Sequence, residues 1–216
     1  LTHFADAGSF ARVRRVLATV DLPVYVLPGN HDLDTSTHPL AAFCQALDLP
    51  NVTLPPATLA LNPKIALSLT SLALDPAGTG YTAVPSQISA LPDPSLSVVL
   101  THFPAFPMSD LLASAELKHA GDLTNRAEFL DAISTLPGPL LIVNGHLHVQ
   151  ATIAEGRMLQ LSVAALIEPP HDATILTIGV DDAGDPWVRR QATSLVETPG
   201  VSLPVLSARD ECWRYS

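Results

Sequence analysis

Three short apolar runs constrain this chain more than anything else in it, because each one opens directly onto histidine. Residues 22–27 lead through Pro28 into Gly29-Asn30-His31-Asp32. Residues 97–101 run into His102-Phe103-Pro104, and residues 140–143 run into Asn144-Gly145-His146-Leu147-His148. Runs of this length bounded by turn residues read as buried strands, and open α/β sheets bind ligands at the C-terminal ends of their strands. If the three strands share a sheet and run parallel, their polar tips converge on one edge. Four of the eight histidines stand at these exits.

The segments between them fit an α/β chain. Ser9 is the expected N-cap of a helix whose face is Phe10, Val13, Leu17 and Val20, and with the strand after it this is half of a βαβ unit. The missing half would precede Leu1. Residues 39–47 predict a second short helix with Leu40, Phe43 and Leu47 on one face. Residues 59–74, interrupted at Asn62-Pro63, predict a hairpin or two adjacent strands, and 75–80 a turn. A helical turn is expected over 85–91, a partly helical connection over 108–120, and a helix opened by a capping box at Asn125 to Glu128. Beyond His148, residues 150–153, 157–163, 174–180 and 187–191 read as an antiparallel meander. One domain spans residues 1–198, and 199–216 reads as a C-terminal surface tail.

The bulk numbers exclude several classes. Of the 216 residues 47% are hydrophobic and 15% charged, a composition for a packed core rather than disorder. A net charge of −10 repels nucleic-acid backbones, so a phosphate-bearing substrate requires locally concentrated positive charge, which metal ions supply. Cys44 and Cys212 make no disulfide framework and fit a reducing compartment. No apolar run is long enough to span a membrane, and no signal-peptide pattern opens the chain. The expectation is a cytoplasmic protein with a small-molecule partner, no membrane and no nucleic acid.

The chemistry at the strand exits suits a metal centre. Neutral imidazole binds Zn, Fe, Mn or Co, and an Asn carbonyl is a hard neutral ligand. In His146-Leu147-His148 on an extended segment, both rings point to one face and address one site or two adjacent metals. Two metals about 3.5–4 Å apart clamp a phosphoryl group, and an unligated histidine beside them protonates the leaving oxygen. A lone histidine at a strand end is more often a hydrogen-bonded loop residue, so the weight rests on the set. His3, His38 and His119 are expected on the surface, and His171 in a Pro-Pro-His-Asp loop. Asp32 either orients a neighbouring histidine or caps the turn.

Taken in order, Gly29-Asn30-His31-Asp32, His102 with Pro104, and Gly145-His146-Leu147-His148 resemble the last three motifs of the calcineurin-like metallophosphoesterases. The chain as a whole is similar to the small bacterial phosphodiesterase-like branch that includes class III cyclic-nucleotide phosphodiesterases. The resemblance covers about 120 residues, from Gly29 to His148. It implies a four-layer α-β-β-α sandwich of two mixed sheets with a dinuclear centre of divalent ions (Mn, Fe or Zn) at the sheet edge. It implies that Asn30, His102 and His146 bind one metal, His148 the other, and that His31 is the general acid. The family's opening Asp-x-His and Gly-Asp motifs are not present. Leu1-Thr2-His3-Phe4 looks like the residues directly after Gly-Asp in such proteins. The expectation is therefore a fold lacking its first strand–helix–strand unit, about 30–45 residues, and an incomplete active site.

The function this implies is metal-dependent hydrolysis of a phosphodiester or phosphomonoester. The alternative is the same fold with a degenerate site, used as a protein-interaction scaffold, which has no need of Asn30, His31, His102, His146 and His148 together. A metallo-β-lactamase-type site would need Asp-His soon after His-x-His, where Val149-Gln150 stand.

Overall fold

The computed structural model describes residues 5–33, 39–84, 93–118, 121–168, 171–196 and 206–215. The helical turn expected over 85–91 and His3, His38 and His119 lie outside these residues. The elements in order are α1 (Ala7–Leu17), β1 (Val24–Tyr25), a 3-10 turn (Asn30–Asp32), α2 (Pro39–Ala46), β2 (Val52–Thr53), β3 (Ala57–Asn62), β4 (Ile65–Leu69), β5 (Leu72–Leu74) and β6 (Tyr81–Ala83). There follow β7 (Leu96–Thr101), α3 (Ser109–Ser114), α4 (Arg126–Ser134), β8 (Leu140–Asn144), β9 (Ala151–Glu155), β10 (Met158–Ser162), β11 (Asp172–Val180), β12 (Pro186–Ser194) and β13 (Asp210–Arg214).

The fold is mixed α/β around a six-stranded mixed sheet in the order β3-β4-β7-β8-β10-β9. Its centre is parallel: β4 pairs with β7, β7 with β8 and β8 with β10 in one direction, while β3 and β9 close the edges antiparallel. Both faces are covered, which explains why β7 and β8 read as unbroken apolar runs rather than alternating ones. Leu140 and Ile142 of β8, with Val99 of β7, pack under Phe129 and Ile133 of α4. The alternate residues Leu141 and Val98 face a second cluster, which Leu159 and Leu161 of β10 share with Val188, Leu176, Ile178 and Trp213 of a three-stranded sheet, β11-β12-β13. Each such large apolar side chain contributes roughly 1.5–3 kcal/mol on burial.

Several expectations need correction. The second sheet is antiparallel throughout rather than mixed. The meander is interrupted because β10 joins the first sheet parallel to β8 before β11 and β12 form their own hairpin. The surface tail expected over 199–216 contains β13, a strand paired with β12. Its Glu211 meets the fully buried Arg190 guanidinium, which also lies 5.3 Å above the Trp213 ring. Proline punctuation hid that strand. Only Val24–Tyr25 of the run at 22–27 is strand, and it pairs with β2 outside the six-stranded sheet. The cap of α1 is Asp6, whose carboxylate accepts the Ser9 N–H, rather than Ser9. Asn125 stands at the N-cap of α4 as expected, but its carboxamide makes no capping bond and instead brackets Ala83, accepting its N–H and donating to its carbonyl.

Candidate metal centre

The paired ends of β7 and β8 build the site. Thr101 and Asn144 are register partners, so the chain leaves the two strands side by side and delivers His102 and His146 to one place. His146 Nδ1 lies 3.3 Å from His102 Nε2, with ring centroids 5.0 Å apart. The third residue comes from outside the sheet: Asn30 Oδ1 lies 2.9 Å from the same Nε2. The turn presenting Asn30 is held at both ends. Asp32 is buried and its carboxylate accepts the Gly29 N–H at 3.0 Å, which is the capping role among its two readings. The Tyr81 hydroxyl donates to the Asn30 carbonyl at 3.1 Å, and the Tyr81 ring stacks on Phe103.

His102 is the electrostatic centre of the cluster. Burial first, and then the neighbouring His146, bring its pKa from 6.5 down to about 3, with Asp32 only partly opposing them. The ring is therefore neutral at physiological pH, the form in which imidazole ligates. Gly29 is packed against it so closely that a Cβ there would stand 2.8 Å from His102 Cε1.

The other two expected residues lie on the same turns as members of this trio. His31 is exposed on the same 3-10 turn, next to Asn30. His148 turns toward the loop after β10, where its Nδ1 lies 3.0 Å from Glu168 Oε2. His146 and His148 do not follow strand alternation. Both have left-handed backbone, φ 64° and 57°, and the Leu147 N–H closes a tight turn onto the Gly145 carbonyl. His171 stays with its own loop, its Nδ1–H donating to the Leu166 carbonyl.

Sequence reasoning missed three supports. Gln160, buried in β10, accepts the N–H groups of both Ala105 and Phe106 at 2.8 Å and so fixes the segment after His102. Asn144 donates to Ser162 Oγ at 2.9 Å beneath the His146 turn. Glu168 is the third. A polar residue within an apolar strand was the available signal for Gln160; nothing local marked Glu168.

The donor set fits one divalent ion. Atoms bound about 2.1 Å from a common ion stand about 3.0–3.4 Å apart in octahedral and tetrahedral sets, and the two separations measured from His102 Nε2, 2.9 Å to Asn30 Oδ1 and 3.3 Å to His146 Nδ1, are close to that spacing. Among the described residues no group of three or more His, Cys, Asp or Glu is placed to hold a metal. The trio is a set of a different kind, because its third donor is a carboxamide.

Comparison with known proteins finds no matching family model and no matching curated protein. Among solved structures, the chain is similar to a conserved uncharacterized protein from Streptococcus pneumoniae TIGR4, described as a predicted phosphoesterase. The identity is 13%, covering 98% of this chain and 92% of that chain, with a TM-score of 0.33. That likeness bears on neither the site nor its chemistry.

Proposed function

We propose that this protein is a metal-dependent phosphoesterase acting on a small phosphodiester or phosphomonoester. Asn30, His102 and His146 hold one divalent ion and His148 contributes to a second, in a four-layer α-β-β-α fold whose inner layers are the six-stranded and the three-stranded sheets. The observation that carries the reading is the approach of Asn30 Oδ1 and His146 Nδ1 to His102 Nε2, at 2.9 and 3.3 Å. A divalent ion bound there supplies Lewis-acid stabilisation of the phosphoryl oxygens.

The chain's own residues supply the rest. The neutral His102 ring presents Nε2 to the Asn30 carboxamide, and Gly29 keeps the backbone close against it. Gln160 and Asn144 hold the two loops that carry His102 and His146. His31, exposed on the Asn30 turn, gives its proton to the leaving oxygen.

The test is hydrolysis of bis-p-nitrophenyl phosphate with Mn²⁺, alongside metal content. His31→Ala is expected to abolish turnover while leaving bound metal unchanged. Metal loss in that variant would mean His31 is a ligand and not the acid. Equal hydrolysis with and without divalent ions would overturn the reading, and uptake of metal without turnover on any phosphoester would favour the scaffold alternative.

A further inference from the structure

Phe103, directly after His102, puts its ring among the polar side chains of the site although it is itself 2% exposed. It meets three other rings there. Tyr81 stacks on it with centroids 5.7 Å apart and planes 30° apart, and His102 meets it edge-on at 5.2 Å. The His146 imidazole is nearest, with centroids 3.9 Å apart and planes 38° apart. Phe103 is itself held firmly. The next two N–H groups, of Ala105 and Phe106, are fixed on Gln160, and the ring belongs to the cluster of Leu123, Phe129 and Ile142. Tyr81 is anchored too, paired with Leu74 in the β5–β6 hairpin while its carbonyl accepts the Thr124 N–H at 2.9 Å.

His146 needs such a neighbour because its main chain does not set its ring. It lies just past the end of β8 with left-handed backbone, φ 64°, so the alternation of a strand no longer aims the side chain. The Leu147 N–H closed on the Gly145 carbonyl fixes the turn and leaves the side-chain torsions open. The outer torsion of a histidine is broad, so its surroundings must choose the angle of the imidazole plane. The contact with His102 Nε2 constrains one atom, Nδ1 at 3.3 Å. A flat ring at 3.9 Å constrains the plane, because rotating the imidazole would drive its edge into the Phe103 face. An aliphatic side chain fills similar space without being flat, and so lacks this property.

We infer that Phe103 is a positioning residue for His146, its ring setting the plane of the imidazole and so directing Nδ1 at His102 Nε2. This rests on the phosphoesterase reading for the ion assigned to Asn30, His102 and His146, but its first consequence is visible without an ion.

The experiment compares wild type with Phe103→Leu and Phe103→Met, which remove the flat face, and Phe103→Tyr, which keeps it. Either of the first two suffices if the other fails to fold. Phe129→Leu takes a ring of α4 out of the same cluster and is the control for lost packing alone. Each variant is confirmed folded by circular dichroism. Nuclear Overhauser contacts between the His102 and His146 ring protons are read in the metal-free proteins. They are expected in wild type, Phe103→Tyr and Phe129→Leu, and to be lost in Phe103→Leu and Phe103→Met. Their absence from wild type, or their survival in Phe103→Leu or Phe103→Met, overturns the inference whatever the protein does with metals. Equal loss in Phe129→Leu reduces Phe103 to core packing and also overturns it. Calorimetric titration with Mn²⁺ then reads the ion that His146→Ala loses. Phe103→Leu should weaken that ion about 10–100-fold, as when other groups that orient a ligating histidine are removed, with rescue by Phe103→Tyr. A Phe103→Leu titration identical to wild type overturns the positioning role toward the ion. A His146→Ala titration identical to wild type overturns instead the assignment of His146 as a ligand, and the ring contacts still decide the role of Phe103.

Discussion

Replacing Gly29 by alanine tests how tightly the site is built. The backbone at Gly29, φ −93° and ψ 174°, is extended and open to any residue, so no conformational penalty attends the change. The added methyl would lie 2.8 Å from His102 Cε1 and 3.2 Å from each ring nitrogen. Carbon–carbon contacts are most favourable at about 3.5–4.0 Å, so the ring must retreat by about 0.7–1.2 Å. Its way out is obstructed by Phe103, packed edge-on with centroids 5.2 Å apart, and by His146. The expected cost is about 1–3 kcal/mol of stability, as for other overpacked sites, and about 10²-fold in turnover from the displaced ligand. Urea denaturation and bis-p-nitrophenyl phosphate hydrolysis read the two effects. The stability effect should largely vanish when Gly29→Ala is made in a His102→Ala background, giving a coupling energy of about 1 kcal/mol or more. A coupling near zero would refute the packing argument, and wild-type stability and turnover in Gly29→Ala would refute it outright.

Two further outcomes are expected from other parts of the chain. His102 titrates near 3 folded against 6.5 as its ordinary value, so between those limits the unfolded state binds the proton that the folded state refuses. Stability is therefore present above about pH 6.5 and lost as pH falls toward 3, with a slope of up to about 1.4 kcal/mol per unit. Urea midpoints of the metal-free protein should fall less steeply between pH 7 and 4.5 in His102→Gln, and equal slopes would contradict the assignment. Glu211→Ala removes the carboxylate facing Arg190, whose side chain is fully buried. It should destabilise by about 3 kcal/mol, because a buried cation loses its partner. Arg190→Met should cost less, and the reverse order would show that Glu211 does not compensate the charge.

What the sequence revealed is uneven, and the unevenness has causes. The strands at β7 and β8 were legible because a doubly covered sheet demands unbroken apolar runs, and 97–101 and 140–143 are two of them. The helix face of Leu40, Phe43 and Leu47 was legible by its spacing, and all three pack in one cluster with Phe10 and Val26. The run at 22–27 misled because burial and strand pairing are separate properties. Val26 is buried and Leu27 packs against the core between the sheets, yet only two residues pair as strand. The premise that all three strands share a sheet fails there, and Asn30 reaches His102 regardless, because its turn is fastened by Asp32 and Tyr81. β13 was illegible since its reason to exist is Arg190, far earlier in the chain. Glu168 was illegible for the same kind of reason: its partner His148 becomes a neighbour only through the β8–β10 pairing.

The backbone of the His146-Leu147-His148 turn bears on both functional readings. Among the described residues six that are not glycine have positive φ, and three of them are His146, His148 and His171. A side chain in this region costs on the order of 1–3 kcal/mol and persists only where the surroundings over-determine it. Here the surroundings are visible: the β8–β10 ladder extended by the Val163 N–H, the Leu147 N–H closed on Gly145, and the His171 N–H closed on Glu168. A surface serving only to dock another protein has no requirement for two strained histidines flanking a single leucine. An arrangement that aims His146 Nδ1 at His102, and His148 toward Glu168, accounts for it, because strand alternation would send both rings the same way. The strain is thus the local cost of dividing the two histidines that flank Leu147 between two places.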